Sequence, residues 1–246
     1  MINNRAFLVM FCLWSVCAQA ELSIQITQGV DNPIPIAIVP FAWEGDGILS
    51  EDIDQIVMDD LQQVGEFRAL SPGNMLSLPN EEKEVFFRDW RVLAQDYLLV
   101  GKINRATGSQ LVRVQYELFD INRELKLAGE ILTGSVTQLR DIGHEISNVV
   151  FELVTGTRGA FTTQILYIVS EQSAGGQTVF RLEKADYDGQ RAQVLLESNE
   201  PIMSPSWSPS GEDIAYVSFE TSLPRIYTQN IATGQRRQIT NYPNIN

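Results

Sequence analysis

Ser204-Pro205-Ser206-Trp207-Ser208-Pro209-Ser210-Gly211-Glu212-Asp213-Ile214-Ala215-Tyr216-Val217-Ser218-Phe219-Glu220 is the stretch on which the fold turns. Ser208-Pro209-Ser210-Gly211 has the chemistry of a type I turn, with Ser at the first corner, Pro at the second and Gly at the fourth. Pro209 presets φ near the value the second corner needs, and Gly211 releases the chain into the next strand without a Cβ clash. Ile214 to Phe219 then reads as a strand bounded by turn residues. An indole, a tight turn and a strand make the inner half of a small antiparallel sheet.

The unit recurs. Ile165-Leu166-Tyr167-Ile168-Val169-Ser170 matches Ile214-Ala215-Tyr216-Val217-Ser218, 49 residues downstream, and Asp186-Tyr187-Asp188-Gly189 matches the segment ending at Gly234, 45 residues on. Several short strands repeating every roughly 40–50 residues are the pattern of a β-propeller blade. On periodicity alone, two unrelated hairpins of a sandwich remain open.

These residues resemble the TolB family of the Tol–Pal system. The resemblance rests on Trp-Ser-Pro-x-Gly followed by Ile-Ala-Tyr, on Gly29-Val30 and Pro35-Ile36-Ala37-Ile38-Val39-Pro40-Phe41, and on Thr155-Gly156-x-Arg158-Gly159-Ala160-Phe161. Asp186-Tyr187-Asp188-Gly189 and Pro201-Ile202-Met203-Ser204-Pro205 complete the set. It runs from about residue 24 to the end. Two positions depart from the family's pattern: Ser210 stands where Asp is usual, and Ala94-Gln95 occupy a segment that commonly carries Gly.

Residues 1–20 read as a secretory signal. Arg5 supplies the positive start, Ala6 to Val16 form an apolar core too short to span a bilayer, and Ala18-Gln19-Ala20 places small residues at both cleavage positions. The expected mature chain starts at Glu21. Lipidation at Cys12 or Cys17 is the lesser alternative, because Phe11 and Val16 precede them where a small residue is needed. Both cysteines fall within this segment, so no disulfide is expected beyond it. Without it, 17 basic residues face 31 acidic ones, a formal net charge of −14. That balance argues against nucleic acid and anionic lipid as partners, since phosphate binding needs clustered Lys and Arg.

Along the mature chain, Leu22, Ile24 and Ile26 alternate with Ser23, Gln25 and Thr27, a one-faced strand pattern. Ile36 to Phe41 predicts a buried strand. Ser50 is a plausible N-cap for a helix carrying Ile53, Ile56, Val57, Leu61 and Val64 and stopped by Gly65. The acids Asp52, Asp54, Asp59 and Asp60 fit no calcium loop and read as a solvated face. Glu81 to Leu93 reads as a second, charged helix with Val85, Phe86, Trp90 and Leu93. Strands follow at Tyr97–Val100, Leu111–Phe119 and Leu125–Leu132. Val136 to Thr155 predicts the longest helix, with a core stripe of Leu139, Ile142, Ile146, Val149, Val150 and Leu153, capped by Gly156. The fold class expected is therefore an α/β domain over residues 21–159, a mixed sheet with packed helices. The start of an all-β propeller follows over residues 160–246. Its first unit lacks the Trp-Ser-Pro-x-Gly strand, and fewer than two blades are present, so the chain reads as a piece of a longer protein. The resemblance implies six blades.

The single histidine, His144, lies opposite the helical stripe and is expected at the surface, where an isolated imidazole builds neither a metal site nor a triad. Asp186-Tyr187-Asp188-Gly189 has its glycine too early for a calcium loop and is better read as a hairpin turn. No catalytic, cofactor-binding or metal-binding set is expected. What the resemblance implies is a non-enzymatic periplasmic adaptor with two partners, supporting outer-membrane integrity and constriction at division. TolA would meet the terminal segment Glu21, Leu22, Ser23, Ile24, Gln25, Ile26, Thr27, Gln28, Gly29, Val30 and Asp31. The lipoprotein Pal would meet the propeller mouth at Met203, Ser204, Pro205, Asn244, Ile245 and Asn246. A reading from another class is the propeller half of a secreted peptidase or carbohydrate-active enzyme, whose catalytic part would lie beyond residue 246.

Overall fold

The computed structural model describes residues 32–105, 108–172 and 175–241. Its first sheet is built on β1 (Ile34–Ile38), whose alternate side chains are buried on both faces, as its unbroken apolar run requires. β1 lies between β3 (Phe67–Ala69) and β4 (Tyr97–Arg105), parallel to both. β2 (Ala42–Glu44) continues alongside β4. β5 (Leu111–Asp120) and β6 (Leu125–Ser135) extend the sheet antiparallel, giving the order β3-β1-β4-β5-β6. The expected mixed sheet is present.

Among the described residues, three α-helices cover it. α1 (Ile53–Gln63) and α3 (Leu139–Thr155) pack on one face, setting Ile53, Val57, Leu61, Leu139, Ile146 and Val150 against Ile36, Ile38, Leu99 and Val114. The short α2 (Phe87–Val92) covers the other, with Trp90 buried among Ala37, Val39, Leu98 and Val100. α3 ends as the sequence predicts: Gly156 adopts a left-handed φ of 76° and donates its amide to Glu152.

Local expectations fail where tertiary contacts outrank local signals. The N-cap of α1 is Asp52 rather than Ser50, with no side-chain capping bond. Glu81 to Leu93 is not one helix: a 3₁₀ turn at Glu82–Glu84 is separated from α2 by extended backbone at Val85 and Phe86. The break has a cause in the sheet. Glu82 donates its amide to Glu117 Oε2 (2.7 Å), Lys126 bridges Glu82 and Glu117 (2.9 Å to each), and Phe87 packs edge-on to Phe119. These anchors hold both ends of the segment, and Phe86 is left 65% exposed. On α3, Leu153 at the end of the expected stripe is 46% exposed.

α2 closes on Ala94 and Gln95. The Gln95 amide reaches the Trp90 carbonyl (3.1 Å) and that of Ala94 the Arg91 carbonyl (2.9 Å), the bond pair of a Schellman cap. Such a cap needs a left-handed residue, and Ala94 takes it, at φ 53°. An L-residue pays for that conformation where glycine does not.

The remaining strands form two antiparallel sheets. β7 (Gln164–Gln172), β8 (Thr178–Asp186) and β9 (Gln193–Ser198) make the first, three-stranded among the described residues. β10 (Ile202–Trp207), β11 (Asp213–Ser218), β12 (Arg225–Asn230) and β13 (Arg236–Gln238) make the second. Between β10 and β11 the Gly211 amide donates to the Ser208 carbonyl (3.0 Å), closing the turn as read from Ser-Pro-Ser-Gly. The repeated turns are also homologous in geometry: Asp186 and Asn230 each donate an amide across the turn, to Gln190 and Gln235, the second turn being one residue longer. Leu182, Ile202, Ile214, Tyr216 and Tyr227 form the core between the sheets.

Replacing Ala94 with Gly is expected to raise the unfolding free energy by about 0.5–1 kcal/mol, the relief of left-handed strain exceeding the entropy added to the unfolded chain. Denaturant melts of the two proteins check this, and a lower midpoint for Ala94→Gly would refute it.

Candidate functional site

Three buried polar side chains, Asp60, His144 and Asp186, lie at the seam between the α/β unit and the first propeller sheet. The seam begins with a close helix crossing. A Cβ added at Gly143 of α3 would lie 2.9 Å from Ile56 Cγ2 of α1, so the glycine lets the two helices approach. One turn beyond Ile56, on the same side of α1, stands Asp60. Its carboxylate is 1% exposed and meets His144, itself only 2% exposed, with 2.8 Å between Asp60 Oδ2 and His144 Nδ1.

Both placements correct the sequence reading. His144 is not a surface residue, because its side of α3 is covered by α1 and by the turn after β8. Asp60 does not belong to a solvated face, although Asp52 and Asp59 do. Asp54 is half-buried and accepts the Phe41 amide (3.2 Å), and desolvation outweighs that bond to hold its carboxyl above the usual range.

The propeller side supplies Tyr187. Its hydroxyl donates to Asp60 Oδ1 (2.6 Å) across 127 positions of sequence, and its ring meets His144 edge-on at 5.5 Å and Phe161 at 5.3 Å. Burial, then the bond to Asp60, pushes the Tyr187 hydroxyl well above its ordinary pKa. A carboxylate only accepts, so the hydrogen bond at Nδ1 assigns the ring proton to that nitrogen. Nε2 is left as an acceptor, buried and without a hydrogen-bond partner among the described residues.

Ion pairs surround this centre. Arg140 of α3 contacts Asp188, Asp186 (3.6 Å) and Glu51 (3.6 Å). Arg191 bridges Asp186 and Asp141, each at 2.5 Å, and does so from a left-handed backbone at φ 52°. The hydrogen bonds to Asp186 and then Asp141 hold its guanidinium pKa above the ordinary arginine value. A cavity of about 220 Å³ opens beside His144, with Asp141, Asp186, Arg191 and Thr163 in its walls.

The segment between the two units is fixed from the same helix. Asn148 of α3 accepts the Phe161 amide at Oδ1 (3.0 Å) and donates to Thr162 Oγ1 (3.1 Å), while Phe161 inserts between Phe151 and Tyr187. Gly159 passes so close that an added Cβ would sit 2.5 Å from Asn148 Oδ1 and 2.9 Å from its Cα. The Gly-x-x-Gly-x-Phe spacing in the sequence is thus a helix cap, a close approach and a core anchor in turn.

Of the residues expected at the propeller mouth, Met203, Ser204 and Pro205 lie together on β10. The register of β10 against β11 shifts between Met203 and Ser206, forming a bulge. Ser204 sits in it at a left-handed φ of 51°, and Met203 is 51% exposed. Asn244, Ile245 and Asn246 lie outside the described residues, as does the whole segment from Glu21 to Asp31 and the predicted signal with Cys12 and Cys17. The structure brings together, from residues the sequence left unconnected, Asp60, His144, Tyr187 and Asp188. The one signal for them was the Asp-Tyr-Asp-Gly turn, quoted for its shape and not for its side chains.

An α/β domain leading into β-propeller strands defines the class of protein. The TolB amino-terminal domain family matches residues 22–127, and the TolB β-propeller domain family matches residues 151–246. Curated relatives named Tol-Pal system protein TolB include one from Pseudomonas fluorescens SBW25, 44% identical over 238 residues, 97% of this chain and 54% of the relative. Another, from Hahella chejuensis, is 43% identical over 245 residues, covering 100% of this chain and 57% of the relative. The crystal structure of TolB from Acinetobacter baumannii superposes with a TM-score of 0.76 at 32% identity, over 89% of this chain and 52% of that one. The chain belongs to the TolB family. It spans about half the length of the curated relatives it matches.

Gly159→Ala is expected to cost about 1–3 kcal/mol, because the added methyl meets the Asn148 amide oxygen, which the Phe161 amide holds in place, and the Asn148 Cα on the backbone of α3. Thermal denaturation reads the loss, and an unchanged midpoint would show that the linker is not seated on Asn148.

Proposed function

We propose that this chain is the amino-terminal part of a non-enzymatic periplasmic adaptor that binds Pal and TolA, and so supports outer-membrane integrity and envelope constriction at division. The observation that carries the reading is the family match across both halves of the chain, to proteins named as components of the Tol–Pal system. In this reading a signal is removed after Ala20, residues 21–159 form the α/β domain and residues 160–246 begin the propeller. Among the described residues no helix is long and apolar enough to cross a membrane.

Two surfaces carry the function. Glu21 to Asp31 would be the TolA segment. It joins the fold at β1, an interior strand, where the Ile34 amide is held by the Glu66 carbonyl (2.8 Å). Its alternating Leu22, Ile24 and Ile26 suit addition to a partner's sheet or docking in a groove. Met203, Ser204 and Pro205, with Asn244, Ile245 and Asn246, would face Pal. Support for the first three is the bulge itself: bulges and left-handed non-glycine residues re-aim side chains and gather at binding sites. The acidic net charge favours basic partner surfaces.

The test is capture of Pal and TolA from envelope extract by the protein at the length of its relatives, with and without residues 21–31. Pal retained and TolA lost on truncation is the expected outcome; TolA capture unchanged by truncation would remove the terminal segment from the account. Met203→Asp is expected to weaken Pal capture by about tenfold or more, since it places a charge at an exposed apolar contact. Pal binding insensitive to that substitution would remove the β10 bulge from the interface.

A further inference from the structure

We propose that Asp60, His144 and Asp188 form a binding site for a divalent metal ion of the zinc class, set in the seam between the α/β unit and the first propeller sheet. A ring nitrogen of His144 and one carboxylate oxygen from each aspartate lie within 4.8 Å of one another. The closest pair, His144 Nδ1 and Asp60 Oδ2, is 2.8 Å apart, near the edge of about 3.3 Å that a tetrahedral zinc shell spans. Three protein ligands of nitrogen and oxygen type, with a fourth position open, are a donor set that zinc accepts and that calcium and magnesium, which take oxygen, do not.

The imidazole has capacity to spare. His144 is 2% exposed, and among the described residues its Nε2 has no hydrogen-bond partner, while the ring lines the 220 Å³ cavity. Coordination through Nδ1, the nitrogen that faces Asp60, moves the ring proton to Nε2, so the histidine changes tautomer and its net charge not at all. The charge balance points the same way. Asp60, Asp141, Asp186, Asp188 and Glu51 meet in this seam, and among the described residues Arg140 and Arg191 form ion pairs with four of them. A divalent cation offsets most of that surplus.

The surrounding contacts suit ligands rather than compete with them. Tyr187 donates to Asp60 Oδ1 and Arg140 to Asp188, the kind of outer hydrogen bonds that orient coordinating carboxylates. Because Asp60 and His144 belong to α1 and α3 while Asp188 follows β8, a bound ion joins the two units directly.

The chain has one histidine, so its imidazole resonances report on the site without any substitution there. The experiment adds Zn²⁺ to the chelator-treated chain and follows those ring signals by NMR, with Mg²⁺ as the parallel addition. Saturation of the shift at one equivalent of Zn²⁺, no response to Mg²⁺, and weakening by more than about tenfold in Asp188→Asn are expected. Asp188 lies at the turn, where it pairs with Arg140 and accepts the Gln190 amide (3.0 Å), and an undisturbed spectrum for the remaining residues of that variant certifies its fold. Ring signals unmoved by excess Zn²⁺, or a titration that Asp188→Asn leaves unchanged, would overturn the proposal.

Discussion

One carboxylate ties the chain together. Asp60 lies in a helix of the α/β unit, is removed from water, and is satisfied by the Nδ1–H of His144 and the hydroxyl of Tyr187. A buried carboxylate without such partners would cost several kcal/mol, so the two donors are a condition for burying it at all. One donor belongs to a helix of its own unit and the other to the first propeller sheet. The geometry of the seam follows: Phe161 and Tyr187 close over the helix pair, and Arg140 and Arg191 seal the rim against Asp186, Asp188 and Asp141. Apolar burial alone would fix the presence of this contact; the polar set fixes its register, because a displaced Tyr187 leaves a carboxylate unpaired.

That register bears on the proposed adaptor role. An adaptor meeting one partner through a terminal segment and another through a propeller mouth would transmit little if its two units rocked freely. Here β1, an interior strand, shares its core with α1 and α3, which carry Asp60 and His144. From that centre to Tyr187, and through β8 to the sheet packed under β10, the chain of contacts is continuous.

The fold was legible where signals are local. The Ser-Pro-Ser-Gly turn, the apolar run of β1, the stripe of α3 as far as Val150 and the Gly156 cap form as read, because each rests on turn chemistry or periodicity within a few residues. Glu81 to Leu93 misled because its helical spacing is overruled by Glu117 and Lys126 on strands far along the chain. The seam was not legible at all. A helical wheel assigns one buried face, and α3 has two; the second is created by a turn some 40 residues later and by a helix 84 positions earlier. His144 and Asp60 therefore look like surface residues to any reading that stops at the element. Met203, Ser204 and Pro205, expected at the mouth, were picked out by resemblance, and their bulge and left-handed Ser204 appear only in the backbone.

The account stands most directly on the pairing of Asp60 with Tyr187, and a double-mutant cycle measures it. Unfolding free energies would be compared for the unaltered chain, Asp60→Asn, Tyr187→Phe and the two together. The account predicts a coupling of about 1.5–3 kcal/mol, as for a buried hydrogen bond to a charged group. Substitutions that add independently, with a coupling near zero, would mean that the buried carboxylate is not what joins the two units.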